Sequence, residues 1–310
     1  MVKTLRKTLR KTLRKTLRKK HKNNTRITAH KKDRNKITFN ALTYNLSWAS
    51  QKGISAGSEE DFVEQCIDKK RDCYKEALKK IKELHNKEKF DVIGIQEAEH
   101  PDLVDSIKIK TNLQGWYRAA TWNSIAKVYS GCAIFWNTDK LGKMKSCKTI
   151  NLAKPDEKGE CDARPCGIVT TDKDITLIVA HFTKIENQAS IDKITEIINE
   201  HISSTGPIII LADTNDSKTL ITKNNPLIIN GKKLSHGLTE TAAKETLNSC
   251  CWHKKDHQYS HFNQTGDYIL SEFVENIKIP ITYPSNDSKE TDLYSDHMPV
   301  TATVTIIMNK

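Results

Sequence analysis

The chain has 310 residues, 37% of them hydrophobic and 28% charged, which suits one large core carrying a polar extension. Its net charge of +12 is unevenly placed: residues 1–35 hold 15 Lys or Arg against the single acid Asp33, a net of +14, which leaves −2 for the remainder. No apolar run approaches the roughly 20 residues that span a bilayer, and the basic N-terminus lacks the apolar stretch of a secretory signal, so the expected location is inside a cell, in cytoplasm or nucleus.

The first 35 residues are low-complexity sequence, with four KTLR units from Lys3 to Arg18. Leu5, Leu9, Leu13 and Leu17 would form a slowly drifting stripe on a helix. Like charges and so few leucines predict a disordered tail that orders on a polyanion or an acidic membrane surface.

The ordered domain is expected from residue 36 onward, where ITFNALTYNL begins a strand pattern. Ser58 followed by Glu59, Glu60 and Asp61 reads as a helix start, and Phe62, Cys66, Cys73, Ala77, Ile81 and Leu84 mark its apolar side. DVIGIQ (Asp91 to Gln96) reads as a buried strand. A helix after Pro101 follows, then strands at Cys132–Trp136, Gly167–Thr170 and Ile175–Ala180. A helix carrying Ile191, Ile194, Ile198 and Ile202 leads to a strand over Pro207–Ala212. A looping stretch from Asn224 to Thr265 precedes strands at Tyr268–Leu270 and Val300–Ile307. Strands interleaved with a few helices, without a glycine-rich phosphate loop, predict an α/β sandwich. The eight cysteines have neither disulfide-scaffold density nor CxxC spacing, so most are expected to be reduced, buried or loop thiols. Cys161 with Cys166, or Cys250 and Cys251 with His253 and His257, form a less favoured metal-binding alternative.

The apolar strands repeatedly end at polar groups. Asn45 follows LTY, Glu97 follows VIGIQ, His181 follows TLIVA, Asp213 and Asn215 follow IIILA, Asp267 precedes YIL, and Asp296 and His297 precede PVTATVTI. Gathered in one pocket, such groups suit attack of water on a phosphoester. Glu97 and Asp296 can bind a hard divalent cation, Asp213 can orient or deprotonate water, and Asn45 and Asn215 can hold phosphate or metal-bound water. His297, oriented by Asp267, and His181 can donate hydrogen bonds as charge develops.

The segments TYNLSW, IQEAEH, IVAHFTK, LADTND, GDYIL and YSDHMPV resemble, in that order, the motifs of the endonuclease/exonuclease/phosphatase superfamily, across roughly Ile37 to Ile307. Deoxyribonuclease I, apurinic endonucleases, sphingomyelinases, inositol polyphosphate 5-phosphatases, deadenylases and tyrosyl-DNA phosphodiesterases are members. The resemblance implies a four-layered α/β sandwich of two packed, mostly antiparallel sheets flanked by helices, with the site at one edge. It implies magnesium, with manganese as a substitute, at Glu97 and Asp296 with Asn45 nearby. Catalysis falls to His181, Asp213, Asn215, Asp267 and His297, and phosphate contact to Asn45 and Arg164. Ala212 stands where a glycine is common; Tyr129 is a candidate for the superfamily's middle tyrosine, though an ordinary core tyrosine is the preferred reading.

Substrate choice resides in loops. Trp252, His253, Lys254, Lys255, His257, Tyr259, His261 and Phe262 mix aromatics with bases as nucleic-acid stacking surfaces do. The leading expectation is a nuclease or DNA/RNA-end phosphodiesterase with nucleic acid as partner. Alternatives are a phosphoinositide or inositol phosphatase or sphingomyelinase-like enzyme on an anionic membrane, and a noncatalytic nucleic-acid-binding or virion-packaging protein on the same fold. Oligomeric state is not legible.

Overall fold

The structure is a computed structural model, and it describes residues 36–47, 66, 72–100, 102–250, 254–255, 258–259, 264–281 and 295–308. The KTLR tail, the helix start at Ser58 and the basic–aromatic side chains from Trp252 to Phe262 lie outside what is described. Thr38–Ile306 forms one compact unit.

Two sheets make its centre. The first contains β1 (Lys36–Asn45), β2 (Val92–Gln96), β3 (Gly115–Asn123), β4 (Val128–Trp136), β14 (Val274–Lys278) and β15 (Val300–Ile307), in the order β14-β15-β1-β2-β4-β3. The second contains β5 (Met144–Asn151), β6 (Pro165–Thr171), β7 (Thr176–His181), β8 (Ile208–Asp213) and β13 (Asp267–Leu270), in the order β13-β8-β7-β6-β5. Among the described strand pairings, β1 with β2 and β7 with β8 are parallel. Each parallel pair needs a crossover, supplied by helix α1 (Cys73–Glu88) in the first and helix α4 (Gln188–Asn199) in the second. The two crossovers decide where chemistry can occur, because parallel neighbours bring two C-terminal strand ends to the same edge.

The sequence explains the layering. Helix α1 buries Tyr74, Ala77, Leu78, Ile81 and Leu84. With Leu103 and Ile107 of helix α2 (Leu103–Thr111), they pack on Leu42, Tyr44, Ile93, Ile95 and Phe135 of the first sheet. Alternate residues face the second sheet. A Cβ added at Gly94 would meet Leu211 Cβ at 2.5 Å, so only glycine permits that approach of the sheets. Across the same gap Gln96 Nε2 donates to Leu211 O at 3.0 Å and Thr43 Oγ1 donates to Gln96 Oε1 at 3.2 Å. Gly94→Ala is expected to force the sheets apart and cost about 1–3 kcal/mol, read as a lower denaturation midpoint.

Some elements differ from the sequence-based expectation. β3 and β5 went unread because they are edge strands: β5 is exposed along Met144–Thr149 and shows no apolar alternation. The stretch from Asn224 to Thr265 is more structured than a loop. It contains β9 (Leu227–Ile229) paired with β10 (Lys232–Leu234), helix α5 (Glu240–Thr246), and a short ribbon of β11 (Lys254–Lys255) with β12 (Gln258–Tyr259). A four-residue helix, α3 (Thr138–Leu141), follows β4, capped by the Asn137 side chain. Cysteine chemistry also departs from expectation: Cys66 and Cys73 form a disulfide, and Cys250 is disulfide-bonded. Cys132, Cys147, Cys161 and Cys166 are free. Tyr129 is 61% exposed, edge-on to Trp122 across the β3–β4 hairpin, so it is not a core tyrosine.

Candidate active site

The C-terminal ends of β1, β2, β7 and β8 open at one edge of the sandwich. Asn45 closes β1, and its amide links the two sheets: Nδ2 donates to Glu97 Oε1 at 3.1 Å and to Asp213 Oδ2 at 2.8 Å. The orientation is secured because Asn45 Oδ1 accepts from the Ser47 backbone N–H at 2.9 Å and Asn45 O accepts from Ser295 Oγ at 2.8 Å. His181 and Asp213 are register partners at the ends of β7 and β8, and Asp267, opening β13, pairs with Asp213 from the other side. One row of ladder partners therefore delivers three ionisable side chains.

Asp213 lies between two imidazoles. Its Oδ2 is 3.5 Å from His181 Nε2 and 3.8 Å from His297 Nε2. Asp267 Oδ2 accepts from His297 Nδ1 at 2.9 Å, turning Nε2 toward Asp213 and Asn45. Arg164 pairs with Asp162 (2.6 Å) and brings Nη1 within 3.4 Å of His181 Nε2. Asn215 donates its side-chain N–H to Phe182 O at 2.9 Å and its backbone N–H to Asp213 Oδ1 at 3.0 Å; both contacts fix the turn after β8.

Two sets offer ligand atoms lying within 4.8 Å of one another: Glu97 with His181 and Asp213, and Asp213 with Asp267 and His297. Asp296 is in neither set. Its neighbour His297 turns toward Asp267, while Asp296 bonds with Ser47 and with Ser295, whose Oγ lies 3.4 Å from Asp296 Oδ1. The compact set therefore joins Glu97 to Asp213, where the sequence expectation had joined it to Asp296.

No family model and no curated protein matches this chain. Solved structures do. An endonuclease/exonuclease/phosphatase from Bacteroides vulgatus superimposes with a TM-score of 0.53 at 12% identity, over 88% of this chain and 99% of that one. The mannosyl-6-phosphatase of Bacteroides thetaiotaomicron VPI-5482 gives 0.53 at 16% identity, over 86% and 99%. The 2′,3′-cyclic phosphatase ANGEL2 gives 0.53 at 13% identity, over 87% and 95%. The chain has the endonuclease/exonuclease/phosphatase fold.

In this fold the cluster's electrostatics follow from burial. Burial opposes charge on His297, but the carboxylates of Asp267 and Asp213 outweigh it and hold the imidazole well above its ordinary range. Burial pushes the Asp267 carboxyl up to about 6, against the pull of His297. Asp213 is also penalised by burial, yet the charges of His297 and His181 and the bonds from Asn215 and Asn45 bring it below the usual carboxylate value. Burial, reinforced by Arg164, pushes His181 down to about 4, so it is neutral near pH 7. Burial raises Asp296.

Backbone strain gathers at the same edge. Ser47, Glu97 and Asn215 have φ of 52°, 54° and 49°, the left-handed region that non-glycine residues rarely adopt. Each lies just past the end of its strand, β1, β2 or β8, where the chain turns. The supporting residues carried little sequence signal: Ser249 Oγ accepts from the Asp267 backbone N–H at 3.0 Å, and Ser295 Oγ accepts from the His297 backbone N–H at 3.1 Å. A serine in a loop has many ordinary explanations, and only the fold brings these two against the acid–imidazole pair.

Behind the site, His236 is fully buried and stacks obliquely on Tyr268 with ring centroids 4.7 Å apart. Its Nε2–H donates to Ile221 O at 2.7 Å while Nδ1 accepts from the Leu238 N–H at 3.2 Å. A second proton would confront that N–H, and burial pushes the pKa down to about 4. The unfolded chain protonates this histidine below about 6.5. Stability is therefore fully present above that pH and falls as pH drops toward 4, by roughly 3 kcal/mol from this group. His236→Gln, which keeps a donor for Ile221, is expected to flatten the pH dependence of denaturant midpoints between pH 6.5 and 4.

Proposed function

We propose that this protein is a magnesium-dependent phosphoesterase that hydrolyses phosphodiester bonds in nucleic acid, with manganese able to substitute, and that residues 36–310 form the catalytic domain behind a polyanion-binding tail of residues 1–35. The observation that carries the reading is the cluster in which Asn45 joins Glu97 to Asp213 and Asp267 orients His297 toward Asp213 and Asn45. Two carboxylates, held together by the Asn45 amide, suit a hard cation, and neutral His181 adds a nitrogen beside them. Glu97 would hold the ion, with Asp213, Asn45 and Asp296 toward its waters. When bound, it supplies positive charge against phosphate oxygens.

The protein's own groups do the rest. Asp213, held below the usual carboxylate range, aligns the attacking water and takes its proton as the phosphorus–oxygen bond to the leaving group breaks, and the departing oxygen picks up a proton from solvent. Protonated His297 donates from Nε2 to the phosphoryl oxygen as negative charge grows, and Asp267 keeps the ring in that orientation. Arg164, kept beside His181 by Asp162, attracts the substrate phosphate. Asn215 shapes the turn that fixes Asp213.

Phosphodiester rather than monoester substrate rests on the tail's charge of +14 beside a near-neutral remainder. The mannosyl-6-phosphatase and 2′,3′-cyclic phosphatase names of two similar structures favour keeping phosphatase substrates in the test. No helix among the described residues is long and apolar enough to cross a membrane. An intracellular address belongs to the same proposal, and the Cys66–Cys73 disulfide, uncommon in reducing compartments, makes thiol-state blotting of the native protein its check. The decisive experiment is magnesium-dependent turnover measured side by side on plasmid DNA, single-stranded DNA, RNA, phosphoinositides and sugar phosphates. Turnover confined to the last two would overturn the nucleic-acid assignment, and none on any substrate would leave the noncatalytic alternative.

Deleting residues 1–35 is expected to leave metal-dependent turnover on short substrates intact while weakening binding to long polyanions, most at low salt. The salt slope of binding should become shallower because the tail's cations no longer displace counterions. Equal slopes for full-length and truncated protein would show that the tail binds no nucleic acid, and anionic vesicles assayed in parallel test a membrane role.

A further inference from the structure

A second concavity lies at the far end of the strands. β2 pairs Gln96 with Cys132 and Val92 with Trp136, so Trp136 sits four residues, roughly 13 Å, along the ladder from the edge that carries Glu97. Here edge strand β3 of one sheet faces edge strand β5 of the other, and between them is a cavity of about 710 Å³. Its volume falls in the range of small-molecule sites.

The walls are built rather than accidental. The Tyr117 hydroxyl and Thr149 Oγ1 are 2.6 Å apart, tying β3 to β5 across the gap. Gly115 lies so close on Trp136 that a Cβ there would meet the indole at 2.2 Å. Trp136 is itself fixed by Nε1–H donation to Gly142 O at 2.9 Å and is fully buried, a rigid backing to the wall. Trp116 and Met144 remain 42% and 48% exposed on the rim, open to a guest. Two cations, Arg118 and Lys143, line the space and no carboxylate does; a third, Lys108, stands 5.3 Å over the Trp116 ring.

We propose that this cavity binds a flat aromatic molecule carrying a negative charge, at a site separate from the phosphoester centre. Trp116 and Tyr117 offer stacking partners, Met144 adapts to the edge of the guest, and the Lys143 ammonium selects an anion. The free thiol of Cys147 is exposed and lines the same space, so it reports occupancy directly.

The probe is 8-anilinonaphthalene-1-sulfonate, whose naphthalene ring is flat and whose sulfonate carries the negative charge, titrated by fluorescence into the full chain. One saturable site is expected. Cys147→Trp, which fills the cavity, should weaken it by about tenfold or more, and Lys143→Glu should weaken it several-fold, with circular dichroism and phosphoester turnover unchanged. On the unaltered protein, saturating probe should slow iodoacetamide alkylation of Cys147, read by peptide mass spectrometry, while an uncharged naphthalene at the same concentration should protect far less. Unchanged affinity in a folded Cys147→Trp variant would overturn the proposal. Alkylation of Cys147 that ignores the probe would overturn it too, and this second measurement decides if the tryptophan variant does not fold.

Discussion

Replacing His297 with alanine is expected to lower kcat by between about a hundredfold and ten-thousandfold while leaving the affinity for magnesium nearly unchanged. The imidazole accepts orientation from Asp267 Oδ2 at 2.9 Å and presents Nε2 to Asn45 and Asp213. Two carboxylates hold it protonated against the cost of burial. It therefore offers a donor to charge that exists only in the transition state. Such a group changes kcat and kcat/KM together. Asp267→Asn should cost less than His297→Ala, since the ring remains but loses its charged partner. The double variant should be no slower than His297→Ala alone, because the two act as one unit. Single-turnover rates and magnesium titrations on all three variants test this. Near-normal turnover by His297→Ala, or multiplicative losses in the double variant, would remove the histidine from the proposed chemistry.

The second large effect is expected at Glu97. Glu97→Gln keeps the side chain's size and its contact with Asn45 but removes the negative charge facing the site. The magnesium concentration for half-maximal turnover should rise by more than about tenfold, with part of the rate recovered at high magnesium. A readout besides turnover is available: magnesium should raise the thermal midpoint of the wild type, as any ligand of the native state does, and this shift should shrink in Glu97→Gln. Chelation should abolish turnover of the wild type on every substrate it hydrolyses. The same half-saturating magnesium in variant and wild type would mean that Glu97 does not face the ion. The parallel measurement on Asp296→Asn separates the two arrangements: a smaller shift there than at Glu97 is expected, because Asp296 lies outside both compact ligand sets.

Much of this architecture was legible in the sequence because burial writes a pattern. β2, β7 and β8 are buried along their whole length, so VIGIQ, TLIVAH and IIILAD had to be apolar until the strand ended. The polar residue that ended each one stood out for that reason. The helix face of Ala77, Ile81 and Leu84 was readable on the same ground. Edge strands β3 and β5 carried no such pattern, since one side of each meets solvent or a cavity and needs no apolar alternation. The short elements between Asn224 and Thr265 were hidden because ribbons and helices of a few residues bury too little to leave a period.

Within the site, the sequence alone determined which residue types were available and that they sat at strand ends. Who meets whom was decided by tertiary structure. Asp267 and His297 are 30 residues apart, and Asn45 and Asp213 are 168 apart. Their contacts depend on two parallel strand pairs ending at one edge and on sheets that approach closely at Gly94. The left-handed backbone at Glu97 and the serines behind Asp267 and His297 are likewise products of packing. Local sequence sets what a strand buries; only the assembled sheets set the distances between its ends, and the chemistry depends on those distances.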